Sequence, residues 1–284
     1  MTSSATSCFS WVKLSDVVYR LCEDDRFGEQ PLMYLVSGGS RWALIDTGCG
    51  GSDLRLYIRS KFGATVADNL IVINTHSHYD HVAGNHFFAD TEIFASSYDR
   101  QFTCDKFNTM GWFAGCRVRP YKVSRWIRHG EKIELGDDPE DHLEAVHSPG
   151  HTPDSMCLYY PRDNRLFVGD FVYRYASVIC ATVGSDLSAY EQSAHVLVDF
   201  VKEKEQESRK QVVLACGHVD DRLDSDWLVK FADLLVRVRE GGAGHGGFGV
   251  LANYSAEDGN LSLLLRRCMA VDNLLKPVLK LFYR

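Results

Sequence analysis

An excess of basic charge is what this 284-residue sequence lacks most plainly. Its 31 lysines and arginines are outnumbered by 38 aspartates and glutamates, a formal net charge of -7. Such a surface repels a phosphate backbone, which disfavours a dedicated nucleic-acid binder and predicts no nucleic-acid partner. Long apolar runs are missing too, since no window reaches the roughly 18 residues of a membrane-spanning helix. The start, Met1 to Ser10, has neither the cationic nor the apolar region of a signal peptide, so the expectation is an intracellular, cytoplasmic protein. Proline is scarce, with seven scattered residues, and no repeat or low-complexity tract interrupts residues 11–240, which predicts one continuous body. Cysteine is not scarce, but its nine residues form an odd set without a C-x-x-C pair or zinc-finger spacing. A disulfide framework is disfavoured, and the cysteines read as small buried hydrophobes in a reducing cell.

What is present suffices for a large core: 45% of the residues are apolar and 12% aromatic. Short apolar runs alternate with turn residues. Val17 to Cys22, Leu32 to Val36 and Trp42 to Ile45 predict an antiparallel meander, the last closing on Asp46-Thr47-Gly48. A helix is predicted near Leu54 to Phe62, and the β-branched run Leu70 to Ile73 predicts a buried strand. Later strands fall at Leu143 to Val146, Met156 to Tyr160, Leu166 to Val168 and Val212 to Ala215, with helices over Ser188 to Glu203 and Trp227 to Arg239. Strands and helices mix without strict βαβ alternation, so the expected fold class is α/β in the broad, α+β sense: a sandwich of sheets with helices outside.

Two segments leave this pattern. Between Arg100 and Arg128, Phe102, Phe107, Met110, Trp112, Phe113 and Trp126 occur without periodicity and read either as core or as a pocket wall. The Gly-rich stretch 241–248 reads as a linker between a domain over residues 1–240 and a C-terminal segment over 249–284. There Leu264, Cys268, Val271, Leu275, Val278 and Phe282 follow a helical spacing, and basic residues predict an amphipathic helix that Pro277 ends or kinks. Its expected role is docking on the domain or on a second subunit of a homo-oligomer; peripheral membrane contact is the alternative.

The chemistry is concentrated directly after the buried strand, in Thr75-His76-Ser77-His78-Tyr79-Asp80-His81, where four metal-competent side chains fall within six residues. His76 and His78 would share a face if the strand continued, while Asp80 and His81 sit where a helix should begin, so the four can converge on two neighbouring positions. A solvated polar loop would explain one pair. It does not explain His151 after Pro149-Gly150, Asp170 after Gly169 and His218 after Gly217, each at the end of a predicted strand. Five imidazoles and two carboxylates suit zinc, with manganese or iron as alternatives, rather than copper(I) or an iron-sulfur cluster.

These stretches resemble the metallo-β-lactamase superfamily of binuclear metallohydrolases, in family order: Leu44-Ile45-Asp46-Thr47-Gly48, His76-Ser77-His78-Tyr79-Asp80-His81, Ser148-Pro149-Gly150-His151-Thr152, Gly169-Asp170 and Gly217-His218. The resemblance implies a four-layer αββα sandwich for the domain and two Zn²⁺ per chain. It implies that His76, His78 and His151 hold the first metal, that Asp80, His81 and His218 hold the second, that Asp170 bridges both, and that Asp46 is a buried carboxylate behind the site. Asp170 stands where lactamases of the plasmid-borne type place a cysteine, which moves the resemblance toward glyoxalase II, thioesterase and lactonase branches. Asp154 replaces a common glycine and Cys216 a common proline; Cys216 reads as a buried residue rather than a ligand. The spacing of Val172-Tyr173 and Ser188-Ala189-Tyr190 after Asp170 further resembles the metallo-β-lactamase domain-containing protein 2 group, associated with acyl-coenzyme A thioester hydrolysis.

Together these features predict a hydrolase that opens an acyl bond of a small-molecule substrate with a hydroxide held between two cations. Asp80 is the expected group to orient that nucleophile, and Asp80 and Asp170 are the catalytic candidates. No evident acid serves an amine leaving group, Tyr173, Tyr175 and His195 being candidate donors without a supporting pattern, so thioesters are favoured. The alternatives carried from the sequence are a lactonase, a β-lactamase-like hydrolase, a glyoxalase II-like thioesterase and a mononuclear iron dioxygenase acting on sulfur. A scaffold without turnover would show a missing ligand, and none is missing.

Overall fold

The computed structural model describes residues 8–241, 246, 251–257 and 259–266. The predicted meander opens the first sheet: β1 Phe9–Lys13, β2 Val18–Glu23, β3 Leu32–Ser37 and β4 Trp42–Ile45 pair antiparallel in sequence order. Three parallel strands extend it, β5 Leu70–Ile73, β6 Glu92–Ser96 and β7 Arg125–Ile127. The second sheet contains β8 Lys132–Glu134, β9 His142–His147, β10 Met156–Tyr160, β11 Arg165–Gly169, β13 Val213–Cys216 and β14 Leu223–Asp224, in the order β14-β13-β11-β10-β9-β8.

Seven α-helical segments accompany the sheets among the described residues: α1 Leu54–Phe62, α2 Ala64–Asp68, α3 Tyr79–Val82, α4 Arg100–Cys104, α5 Gly111–Ala114, α6 Leu187–Ser208 and α7 Asp226–Arg239. Local chemistry sets several of these starts. Asp53 accepts from the Leu56 amide at 2.9 Å and Asp186 from the Ala189 amide at 3.0 Å, satisfying amides that have no partner within the helix.

Alternation along the strands builds the layers. Tyr34, Val36, Ile45, Ile71 and Ile73 face Leu143, Ala145, Leu158 and Phe167 between the two sheets. The opposite faces, Met33, Leu35, Leu44 and Val72, pack on Leu54, Tyr57 and Ile58 of α1. On the other side Cys157, Tyr159, Leu166 and Val168 meet Tyr190, Ala194 and Leu197 of α6 and Phe231 and Leu235 of α7. Both faces of each sheet are covered, which explains why these strands read as nearly continuous apolar runs. The four-layer αββα sandwich expected from the resemblance is the fold.

The C-terminal expectation needs correction. Residues within the predicted amphipathic helix instead form β15 Leu251–Ser255 and β16 Ser262–Arg266, an antiparallel pair whose second strand adds in parallel to β12 Ser177–Cys180. The reason lies in a period of two that the helical spacing from Leu264 overlooked: Leu261, Leu263 and Leu265 are buried in the α6/α7 core, while Ser262, Leu264 and Arg266 are only half-buried. The rest of that expectation, from Arg267 to Arg284, lies outside the described residues, as does most of the 241–248 linker. No helix among the described residues is long and apolar enough to cross a membrane. All eight described cysteines are free thiols, and Cys49, Cys116, Cys157, Cys180 and Cys216 are buried, whereas Cys104 is exposed.

Candidate metal centre

The site forms where four chain segments leave the sheets at one edge. Strand β5 ends at Ile73, so His76 and His78 lie on the loop beyond it rather than on a continued strand, and His78 is the cap residue preceding α3, which carries Asp80 and His81. His151 follows β9, Asp170 directly follows β11, and His218 follows β13. The parallel pairing of β11 with β13 shifts register between Phe167 and Gly169, which brings Asp170 beside His218. Close approach there demands glycine: a Cβ on Gly217 would lie 2.4 Å from Asp170 Oδ1. Gly150, at φ +147°, lets the His151 loop lie on α6, where a Cβ would come within 2.4 Å of Tyr190 Cα.

All seven candidate residues are buried and form two adjoining groups, His76/His78/His151 and Asp80/His81/Asp170/His218, with the donor atoms of each group within 4.8 Å of one another. Nε2 of His76 lies 3.1 Å and Nε2 of His151 2.9 Å from His78 Nδ1. In the second group His218 Nε2 is 3.1 Å and His81 Nε2 3.3 Å from Asp80 Oδ2. Asp170 sits between them, with Oδ1 at 3.3 Å from His81 Nε2 and 3.5 Å from His218 Nε2, and Oδ2 at 3.7 Å from His151 Nε2.

The outer ring nitrogens are tied down by oxygens behind the cluster. His81 Nδ1 bonds Asp46 Oδ2 at 2.8 Å, His151 Nδ1 the Ile179 carbonyl at 2.7 Å and His218 Nδ1 the Glu29 carbonyl at 2.8 Å. Each of these bonds leaves the opposite Nε2 facing inward and fixes the ring's orientation. Asp46 also accepts from the Thr75 amide at 2.8 Å and the Thr75 hydroxyl at 2.7 Å. Asp46 adopts φ +61°, and the β4–β5 register that pairs Ile45 with Ile73 sets it beside the loop it holds.

Electrostatics divide the cluster. Burial, helped by neighbouring imidazoles, holds His76 and His151 below the ordinary histidine value and His78 at about 3. Burial also works against charge on His81 and His218, but Asp80 and Asp170 outweigh it and raise both well above that value. The two carboxylates, pushed up by burial, are pulled well below their usual range by His81 and His218. The three neutral imidazoles of the first group and the two ionised carboxylates have the protonation states a divalent cation requires, whereas His81 and His218 must each give up a proton when a cation binds. Within this packed centre His81 Nε2 and Asp170 Oδ1 are buried without a hydrogen-bond partner. Leaving such atoms unpaired costs about 1–3 kcal/mol each, so their convergence fits a metal centre and not a hydrogen-bonded polar core.

The centre opens into a cavity of about 970 Å³ lined by His78, Asp80, His151, Asp170 and His218 and walled by Met110, Phe113, Ala114, Tyr173 and Ile179. The aromatic segment is thus divided: Phe102 is buried, Met110 and Phe113 wall the cavity, and Phe107 and Trp112 stack on each other at the surface. Of the candidate donors, Tyr173 lines the cavity, while Tyr175 and the exposed His195 of α6 do not. Cys216 is buried at the end of β13, with its carbonyl accepting from Tyr34, and stands outside the metal-competent group. Asp154 joins the Thr152 and Thr103 hydroxyls, at 2.8 and 2.9 Å, tying α4 to the His151 loop. Sequence reasoning missed Glu29, Ile179 and Tyr79 as supports. The first two act on imidazoles through backbone carbonyls, which leave no side-chain signature; Tyr79 donates its hydroxyl proton to Glu29.

The comparisons agree with this geometry. The family model of the metallo-beta-lactamase superfamily matches residues 26–218, more than half of the chain. Over 194 residues the chain is 29% identical to acyl-coenzyme A thioesterase MBLAC2 of Gallus gallus, covering 61% of this chain and 69% of that protein. It is 27% identical over 226 residues to MBLAC2 of Homo sapiens, covering 70% and 78%. A solved metallo-beta-lactamase family protein from Thermus thermophilus shares the fold with a TM-score of 0.62 at 18% identity, over 81% of this chain and 82% of that one. Fold, buried His/Asp cluster and family match together make this chain a member of the metallo-beta-lactamase superfamily and a metal-dependent hydrolase.

Proposed function

We propose that the protein hydrolyses acyl thioesters, acyl-coenzyme A foremost, using two zinc ions. His76, His78 and His151 would hold one, Asp80, His81 and His218 the other, with Asp170 shared. The observation that carries this reading is the position of Asp170, whose two oxygens face the two groups separately. Bound at these residues, two divalent cations supply an activated water and a Lewis acid for the acyl oxygen. The protein does the rest. The Asp80 carboxylate, which lines the cavity, would accept a hydrogen bond from the attacking water, and the Asp46, Ile179 and Glu29 oxygens keep the imidazoles in orientation. Met110, Phe113, Ala114 and Ile179 present an apolar wall for an acyl chain.

Leaving-group chemistry supports thioesters. A departing amine must be protonated, whereas a thiol with a pKa of about 8.5 leaves as an anion without an acid. With metal-replete protein, thiol release from medium- or long-chain acyl-coenzyme A is expected to be fastest, lactoylglutathione slower and β-lactam opening slowest. A β-lactam rate above every thioester rate would overturn the ordering. Oxygen uptake by iron-loaded protein without thiol release would replace the reading with sulfur oxygenation.

A further inference from the structure

Beside the cavity at the candidate metal centre lies a second one of about 770 Å³, and Arg26 and Phe27 line both. Arg117 and Arg119 also line the second cavity and are exposed. Arg20 of the first cavity is paired with Asp221, but Arg26 holds only the Gly115 carbonyl, at 3.5 Å, and the face of Phe27, at 4.7 Å. The acids nearby are largely engaged. Buried Glu23 accepts from the amides of Cys49 and Gly51 at 2.7 Å each, and Asp25 from those of Phe27 and Gln30, also at 2.7 Å. With exposed Asp24 the cavity sets three carboxylates, two of them bonded to backbone amides, against three guanidinium groups. Among the described residues none of the three guanidinium groups forms an ion pair with these acids, which leaves them available to an anionic ligand, and the planar guanidinium matches phosphate in particular.

We propose that this second cavity takes the phosphorylated nucleotide end of a coenzyme A thioester through Arg26, Arg117 and Arg119. The pantetheine arm would then pass Phe27 and present the thioester to the centre. The inference rests on the thioester reading above and adds what distinguishes one thioester from another: the carrier is recognised by its phosphates, apart from the acyl group.

The test compares the same acyl group on coenzyme A and on pantetheine, which lacks the nucleotide, in the wild type and in the Arg117→Glu/Arg119→Glu double variant. Both positions are exposed, and circular dichroism checks the fold. The ratio of kcat/KM for the two carriers is expected to favour coenzyme A in the wild type and to fall about tenfold or more in the variant, mainly through KM. Calorimetric binding of adenosine 3′,5′-bisphosphate should be lost in parallel. An unchanged ratio with unchanged bisphosphate binding overturns the proposal even if thioesters are hydrolysed. If no thioester is turned over, the functional reading fails, while bisphosphate binding by the wild type and not by the variant still supports the nucleotide site and its absence from the wild type refutes it.

Discussion

Replacing Asp170 with alanine is expected to abolish measurable thioester hydrolysis, a loss of about a thousandfold or more, as follows when a buried group central to transition-state electrostatics is removed. The carboxylate lies between His81, His151 and His218, with Oδ1 toward the second group and Oδ2 toward the first. Its removal also leaves His81 and His218 without one of the carboxylates that raise their proton affinity, and removes negative charge that attracts cations. Asp170→Asn keeps the shape without the charge, so it should fold like the wild type yet remain nearly inactive. Turnover and metal content of both variants, with circular dichroism as the control for folding, check this. An alanine variant that kept its metal and more than a tenth of wild-type turnover would remove Asp170 from the proposed role.

Asp46→Ala carries the second large effect, read in stability as much as activity. The side chain is buried and accepts from the Thr75 amide, the Thr75 hydroxyl and His81 Nδ1. Deleting it strands these donors. At about 1–3 kcal/mol per unsatisfied buried group, and without full additivity, the expected destabilisation is about 2–4 kcal/mol. Alanine is also disfavoured at φ +61°, where Asn and Asp are tolerated better. Freed from Asp46, His81 loses its fixed orientation, so metal affinity should weaken by about 10- to 100-fold. Urea denaturation of metal-free and metal-loaded protein measures both terms. Asp46→Asn, which preserves the backbone preference, should recover part of the stability and less of the affinity. A variant within about 0.5 kcal/mol of wild type, the spread of ordinary surface changes, would contradict the supporting role.

What could be read from the chain beforehand followed from pattern strength. Trp42–Ile45, Leu54–Phe62, Leu70–Ile73 and Met156–Tyr160 are observed with the predicted bounds because dense apolar residues lie between clear turn residues. Short strands such as Glu92–Ser96 and Ser177–Cys180 carry too few residues to show a period, and their positions come from neighbours distant in sequence. The C-terminal hairpin was misread because Leu261 to Leu265 satisfies a period of two over only a few residues, inside a longer stretch with helical spacing. At the centre, the seven side chains announce themselves by type and by position at strand ends. The Glu29 and Ile179 carbonyls that orient His218 and His151 do not, because every residue has a carbonyl and only the fold selects these two.

The central claim is that the two groups joined by Asp170 each hold a divalent cation. It is tested most directly by elemental analysis of protein purified without a metal-chelating tag and supplemented with zinc. The expected result is two zinc equivalents per chain, falling toward one in His151→Ala, which removes a donor from the first group and leaves the second intact. One equivalent or less in the supplemented wild-type protein would contradict the account.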